Sequence, residues 1–308
     1  GKLKGTITAV LEDADGNAVY TETLPVLETV HFKTVVPRVK QWSAEVPNLY
    51  QLYLHITAED GTTVEAVPMD VGFRTFELKN GIMCINGKRI LFRGVNRHEF
   101  NCKRGRAITR EDMLWDIRFL KRHNLNAVRT CHYPDQSLWY KLCDRYGIYL
   151  IDETNLESHG SWQKLGQVEP SWNVPGSEPE WQECVLDRAN SMFQRDKNHP
   201  SILIWSLGNE SYVGTCLENM TKFFHSVDDT RLVHYEGCFW NRDWCHISDM
   251  ESRMYAKPVD IDAYLASKPE KPYISCEFLH CMGNSGGNLN LYMELEDKYE
   301  QYQGGFIW

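Results

Sequence analysis

Apolar and polar positions follow two different rhythms, which change over near residue 75. Before that point short runs alternate with period two, most clearly Thr6-Ile7-Thr8-Ala9-Val10-Leu11 and Tyr50-Gln51-Leu52-Tyr53-Leu54-His55-Ile56-Thr57. Successive side chains of a strand leave opposite faces, so this alternation marks half-buried strands. Asp15-Gly16 and Asp60-Gly61 supply turns between them. No helical period of useful length occurs there. The pattern predicts a small antiparallel, immunoglobulin-like β-sandwich over residues 1–75.

From Gly81 onward apolar strands alternate with helical stretches, the mark of parallel βα units. Eight strands are predicted: Ile90–Val95, Asn126–Thr130, Tyr149–Asp152, Ile202–Leu207, Leu232–Tyr235, Ile247–Met250, Tyr273–Cys276 and Gly305–Trp308. Thr109 is placed to cap a helix, with Asp112 three residues on as a weaker capping-box partner. Met113, Ile117 and Leu120 then form one apolar face. Ser137 to Tyr146 reads as a second helix that Gly147 stops, and Trp181 to Gln194 as a third, with Pro200 beyond it. Eight such units predict a (β/α)8 TIM barrel over residues 76–308, whose site lies at the C-terminal strand ends. No helix follows the eighth strand. A barrel in that state leaves apolar surface uncovered, so a longer natural chain is expected.

Composition narrows the class. The chain has 308 residues, 42% of them hydrophobic, and a net charge of −9. This is a core-forming chain without a basic stripe, so a nucleic-acid partner is not expected. No apolar run approaches the ~18 residues that span a bilayer, so no membrane partner is expected either. Ten cysteines occur without a Cys-x-x-Cys pair, which argues for reduced structural thiols and a cytoplasmic protein.

Polar residues just beyond the strand ends carry the candidate chemistry. They include His98, His132, Glu153, Glu157, His159, Asn209, Glu210, Tyr255, Glu277 and His280, with Arg129 inside strand two. Two carboxylates on different strands suit glycoside hydrolysis, where one protonates the departing oxygen and the other attacks the anomeric carbon. Glu210 and Glu277 end strands four and seven, on opposite sides of the mouth. A small barrel permits a gap of roughly 5 Å between them, the retaining spacing. Asn209 is placed to donate to a sugar 2-hydroxyl, or is a turn residue. Arg129 is placed to keep Glu277 ionised, or pairs elsewhere at the core edge. Glu157 and His159, two apart in extended backbone, can face one ion together with Glu210, which suits Mg²⁺ or Mn²⁺ better than zinc. A plain Glu–His hydrogen bond fits the same spacing.

These motifs resemble glycoside hydrolase family 2. Ile90 to Glu99, Asn126-Ala127-Val128-Arg129 and His132-Tyr133-Pro134 are similar to the beginning of that family's barrel. Asn198 through Ser211, with Gly208-Asn209-Glu210, resembles its acid/base signature. Cys276-Glu277-Phe278-Leu279-His280 to Ser285 resembles its nucleophile signature. Trp42-Ser43-Ala44-Glu45 and Val71-Gly72-Phe73-Arg74 extend the likeness into the leading segment. Leu156-Glu157-Ser158-His159-Gly160 and the His280 motif look like the large β-galactosidase branch. The resemblance implies Glu277 as nucleophile, Glu210 as acid/base, and Glu157, His159 and Glu210 as Mg²⁺ ligands. It implies that His98, His132, Asn209, His280 and Trp308 line a galactose subsite, that Tyr255 bonds the nucleophile, and that Trp308 offers its face to the sugar. Phe278 stands where the family commonly has Tyr, and Cys281 where Ala is frequent. The family's leading sugar-binding sandwich is absent, as is everything after strand eight, including the residues expected to hold a monovalent cation. Relatives usually form homo-oligomers through those parts. Rival expectations are a family 2 hydrolase of another β-glycoside, such as a β-glucuronide, and an inactive carbohydrate-binding fragment.

Overall fold

The computed structural model describes residues 4–162 and 173–308. Four antiparallel strands come first: β1 (Gly5–Glu12), β2 (Ala18–Pro25), β3 (Tyr50–Ala58) and β4 (Thr63–Val71), in the order β2-β1-β3-β4. Thr8 faces Thr23 on one side and His55 on the other, so the register follows the period-two alternation. A three-stranded sheet of β5 (Phe76–Lys79), β6 (Ile82–Ile85) and β7 (Lys88–Arg89) leads into the second part.

Eight parallel strands then form the barrel: β8 (Phe92–Arg97), β9 (Ala127–Thr130), β10 (Tyr149–Glu153), β11 (Ile202–Ser206), β12 (Leu232–His234), β13 (Glu251–Met254), β14 (Tyr273–Phe278) and β15 (Tyr302–Ile307). The helices between them are α1 (Arg110–Arg122), α2 (Ser137–Tyr146), the short α3 (His159–Trp162), α4 (Pro179–Asp196), α5 (Thr215–Val227), α6 (Pro258–Ala266) and α7 (Leu289–Lys298). Thr109 and Asp112 cap α1 reciprocally, and Gly147 ends α2 at φ 74°. A Cβ on Gly147 would lie 2.3 Å from the Ala44 carbonyl oxygen, so both the turn and the contact with the leading segment require glycine.

Three predicted strands shift. The first begins at Phe92 rather than Ile90, and the eighth spans Tyr302–Ile307 rather than Gly305–Trp308. The sixth is misplaced: residues 242–247 form a 3-10 turn, and the strand is Glu251–Met254. Ile247 and Met250 are buried as core anchors, which gave the sequence its apolar look there. The true strand, Glu-Ser-Arg-Met, does not read as an apolar run.

β12 and β13 are both short and share no ladder, so one backbone bond, from the Asp249 N–H to the Val233 carbonyl at 2.9 Å, and several side chains close the barrel seam. Asp249 Oδ2 accepts the Val233 N–H at 2.7 Å, Ser248 Oγ accepts the Tyr235 N–H at 3.1 Å, and His234 Nε2 meets Ser252 Oγ at 2.8 Å. At the other end of the barrel, Arg74 donates to the carbonyls of Pro200 and Ile202 at 2.8 and 2.6 Å, and Trp42 Nε1 donates to that of Asp144 at 2.8 Å. These bonds tie the leading segment to the barrel floor. Apolar lining is also left open between α1 and α7. A groove of about 270 Å³ lies there, lined by Phe92, Leu125, Leu289, Tyr292, Met293 and Ile307 among others.

Candidate active site

Strand periodicity builds the site. Ala127, Ile151 and Ile204 belong to the apolar floor with Phe92, Ile274 and Phe306. Two positions further along the same strands stand Arg129, Glu153 and Ser206, all fully buried. Each strand therefore carries an apolar residue low in the barrel and a polar one nearer the mouth.

Arg129 is the hub. Its Nε and Nη2 grip Glu153 at 2.7 and 3.0 Å, Nη1 donates to Glu277 Oε1 at 2.8 Å and to Asn96 Oδ1 at 3.1 Å, and Nη2 donates to Asn209 Oδ1 at 2.8 Å. A guanidinium can only donate, so the Asn209 oxygen is the atom turned inward and its amino group faces away. That amino group lies 3.3 Å from Glu157 Oε1. Burial pushes the Glu153 carboxyl up, but Arg129 and His132 outweigh it and hold it below its ordinary range. Glu153 Oε1 accepts from His132 Nδ1 at 2.7 Å, which fixes the proton on that nitrogen and leaves Nε2 4.0 Å from Glu277 Oε1. The chain of contacts continues through Ser206 to His234, whose imidazole burial pushes down to about 3 and so keeps neutral.

Glu277 ends β14 and is nearly buried, at 4% exposure. Its second oxygen accepts the Tyr255 hydroxyl at 2.6 Å, and the Tyr255 N–H donates to its carbonyl at 2.8 Å. Burial, then the neighbouring carboxylate, raises the Tyr255 pKa, so its hydroxyl stays a donor.

Glu210 is held differently. Its own backbone takes a left-handed φ of 41°, and its N–H donates to Glu236 Oε1 at 2.7 Å. Gly208 precedes it at φ 146°, where a Cβ would lie 2.7 Å from the Leu156 carbonyl oxygen. That close approach lets the Asn209 N–H reach the same carbonyl at 2.8 Å. His159 Nδ1 stands 3.1 Å from Glu210 Oε2. Burial raises the Glu210 pKa, Glu277 and Glu157 add to that, and His159 opposes it. Tyr255 and His280 also have left-handed φ, 53° and 49°. Such conformations cost about 1–3 kcal/mol in non-glycine residues and gather where surrounding structure imposes them.

Aromatic rings close one wall. Trp308 stacks on His132 at 5.4 Å and 9°, so one indole face is covered by imidazole. His98 stands edge-on to both, 5.6 Å from each, with Nδ1 3.1 Å from the Tyr133 hydroxyl. His280 is edge-on to Tyr255 at 5.8 Å. The proposed metal ligands are only partly gathered: His159 meets Glu210, while Glu157 turns toward Asn209. Among the described residues these three do not form a set with every ligand atom within 4.8 Å of the others, whereas His98, Cys131 and His132 do.

Sequence reasoning placed Glu153 among the strand-end polar residues without giving it a role, and passed over Glu236 altogether. Both follow the same strand-end rule that found Glu210 and Glu277. Glu236 lies directly after the predicted strand five, two residues beyond β12, and burial pushes its carboxyl up to about 8 although Arg129 opposes.

A family profile described as glycosyl hydrolases family 2, TIM barrel domain, matches residues 76–308, and one described as glycosyl hydrolases family 2 matches residues 1–74. The chain belongs to glycosyl hydrolases family 2. It is 59% identical to a β-galactosidase of Clostridium acetobutylicum over 100% of its own length and 34% of the relative's. It is 50% identical to a β-galactosidase large subunit of Leuconostoc lactis, covering 98% of this chain and 49% of that one. The chain thus spans a third to a half of these relatives. A β-glucuronidase structure from Ruminococcus gnavus in complex with D-glucuronic acid superposes with a TM-score of 0.78 at 21% identity, over 100% of this chain and 56% of that one. At that identity the likeness concerns the fold alone.

Proposed function

We propose that this chain carries the catalytic centre of a retaining β-galactosidase that releases terminal β-D-galactose from substrates such as lactose. The observation that carries the reading is the unequal treatment of two carboxyl groups at one barrel mouth. Glu277 receives a guanidinium N–H and a phenol O–H, one on each oxygen, which hold the carboxylate in place for attack. Glu210 has its pKa raised by burial, which favours the proton-holding form. The 59% identity to a protein named β-galactosidase supports the sugar assignment.

Glu277 attacks the anomeric carbon as the bond to the aglycone oxygen breaks, and Glu210 gives that oxygen its proton. Water then attacks the same carbon, Glu210 takes the water's proton, and the bond to Glu277 breaks. Asn209 directs its amino group outward to the sugar 2-hydroxyl because Arg129 holds its oxygen. His98, His132, His280 and Trp308 form the galactose wall. Glu157, His159 and Glu210 are a hard donor set suited to Mg²⁺ or Mn²⁺, and their two carboxylates repel each other when nothing lies between them. The ion, when bound, supplies positive charge beside the acid/base. Ten free thiols fit a reducing cytoplasm.

A panel of nitrophenyl glycosides with the intact enzyme tests the reading. Fastest release is expected from the β-galactoside, and faster release from the β-glucuronide overturns it. No turnover by the isolated chain, restored on adding the remaining segments, identifies it as a fragment needing complementation.

A further inference from the structure

Glu236 is buried, with Oε1 2.7 Å from the Glu210 N–H and Oε2 without a partner among the described residues. It stands two residues beyond β12, on the strand that neighbours β11, where Glu210 originates. Its neighbour Tyr235 works on the next peptide: the phenol oxygen accepts the Ser211 N–H at 2.9 Å and the hydroxyl donates to the Ser211 carbonyl. Ser211 Oγ in turn donates to the Asn209 carbonyl at 3.1 Å. The end of strand five is therefore a splint along the backbone of Asn209-Glu210-Ser211. Glu210 needs one, because its left-handed φ of 41° is unfavourable for a glutamate. Releasing that peptide lets the backbone relax toward ordinary φ and swings the carboxyl away from the leaving-group oxygen. A misplacement of about 1 Å at a reacting group can cost on the order of 100-fold in rate.

We propose that Glu236 is a positioning residue that holds the acid/base Glu210 in register with the departing oxygen, by accepting its backbone N–H. The proposal rests on the reading of Glu210 as the acid/base. It makes no direct contact with substrate and no part in the nucleophile's attack.

The test measures kcat/KM of the intact, Mg²⁺-loaded enzyme on galactosides of graded leaving group, from phenyl to 2,4-dinitrophenyl. A dinitrophenolate departs without a proton, so only poor leaving groups report on Glu210. Glu236→Leu keeps the size and removes the acceptor. Its phenyl galactoside kcat/KM is expected to fall about 100-fold, while the dinitrophenyl value stays within about threefold. Glu236→Gln, which restores an oxygen acceptor, is expected to recover most of the loss. An equal loss across all leaving groups in Glu236→Leu, or no loss on the phenyl galactoside, overturns the proposal. If Glu236→Leu does not fold, Glu236→Asp, whose oxygen is withdrawn by one methylene, is read by the same criteria. Glu210→Ala runs beside them. A leaving-group-independent loss in that variant rejects the acid/base reading itself, whereas leaving-group dependence in Glu210→Ala alone rejects only the role of Glu236.

Discussion

The corner of the barrel mouth around Glu277 and the corner around Glu210 solve opposite problems. Glu277 is gripped by side chains: Arg129 and Tyr255 each bind one oxygen, and almost no water reaches it. Those contacts fix the position of both of its oxygens. Glu210 is placed through its backbone, by Glu236, Tyr235 and the Gly208 approach, and its carboxyl is left partly open beside His159. In the proposed mechanism the attacking carboxylate gains from fixed donors. A group that must hold and release a proton cannot be surrounded by them without losing its raised pKa. Position and proton affinity are therefore supplied separately at the second corner.

The sharpest way to break this comparison is to disable both acids in turn. Glu277→Gln is expected to lower kcat about 10⁴- to 10⁶-fold on every galactoside. Glu210→Gln is expected to lose about 10²- to 10⁴-fold in kcat/KM on poor leaving groups, with kcat/KM for the dinitrophenyl galactoside little changed. Steady-state kinetics that rank the two the other way, or show no leaving-group dependence for Glu210, reverse the roles.

Arg129→Met separates charge support from chemistry. Glu153 and Glu277 are left buried without their cation, and about 3–5 kcal/mol of stability should be lost in denaturant titration. Unchanged stability means the hub is not an electrostatic keystone. Tyr255→Phe removes one charged-acceptor hydrogen bond and is expected to cost about 1.5–3 kcal/mol, roughly 10- to 150-fold, in kcat/KM. A matching loss of fold stability instead assigns Tyr255 to packing.

Acid titration distinguishes loss of fold from loss of chemistry. Burial works to raise the Asp228 carboxyl, but Arg231, Thr230 and Trp205 outweigh it and hold it at about 2, far from both corners. A depressed folded pKa means the stabilisation is full above the ordinary carboxylate range and disappears as pH falls toward 2. About 1–2 kcal/mol should be lost across that window, and the slope should flatten in Asp228→Asn. An equal slope in the variant removes the pair from the acid response. Smallest of all, His159→Asn should raise the Mg²⁺ concentration for half-maximal activity about tenfold. An unchanged requirement excludes His159 as a ligand.

Much of this architecture was readable because strand and helix periods are local. Thr109, Gly147 and the floor residues Ala127, Ile151 and Ile204 declare their roles within a few neighbours. Strand six was misread because Ile247 and Met250 are apolar for packing while Glu251-Ser252-Arg253 forms the strand. A strand facing a polar interior lacks the pattern that periodicity detects. Glu153 escaped assignment because its function is to bind Arg129 and His132, contacts that cross 24 and 21 residues of chain.

By itself the sequence determined the repeating βα order, the helix caps and the acids that end the strands, since each depends on backbone sterics and burial over a short span. Tertiary structure alone decided which of those acids is gripped by side chains and which is held by its peptide. Proton affinity depends on neighbours brought from distant strands, and a left-handed glutamate exists only where other strands hold it there.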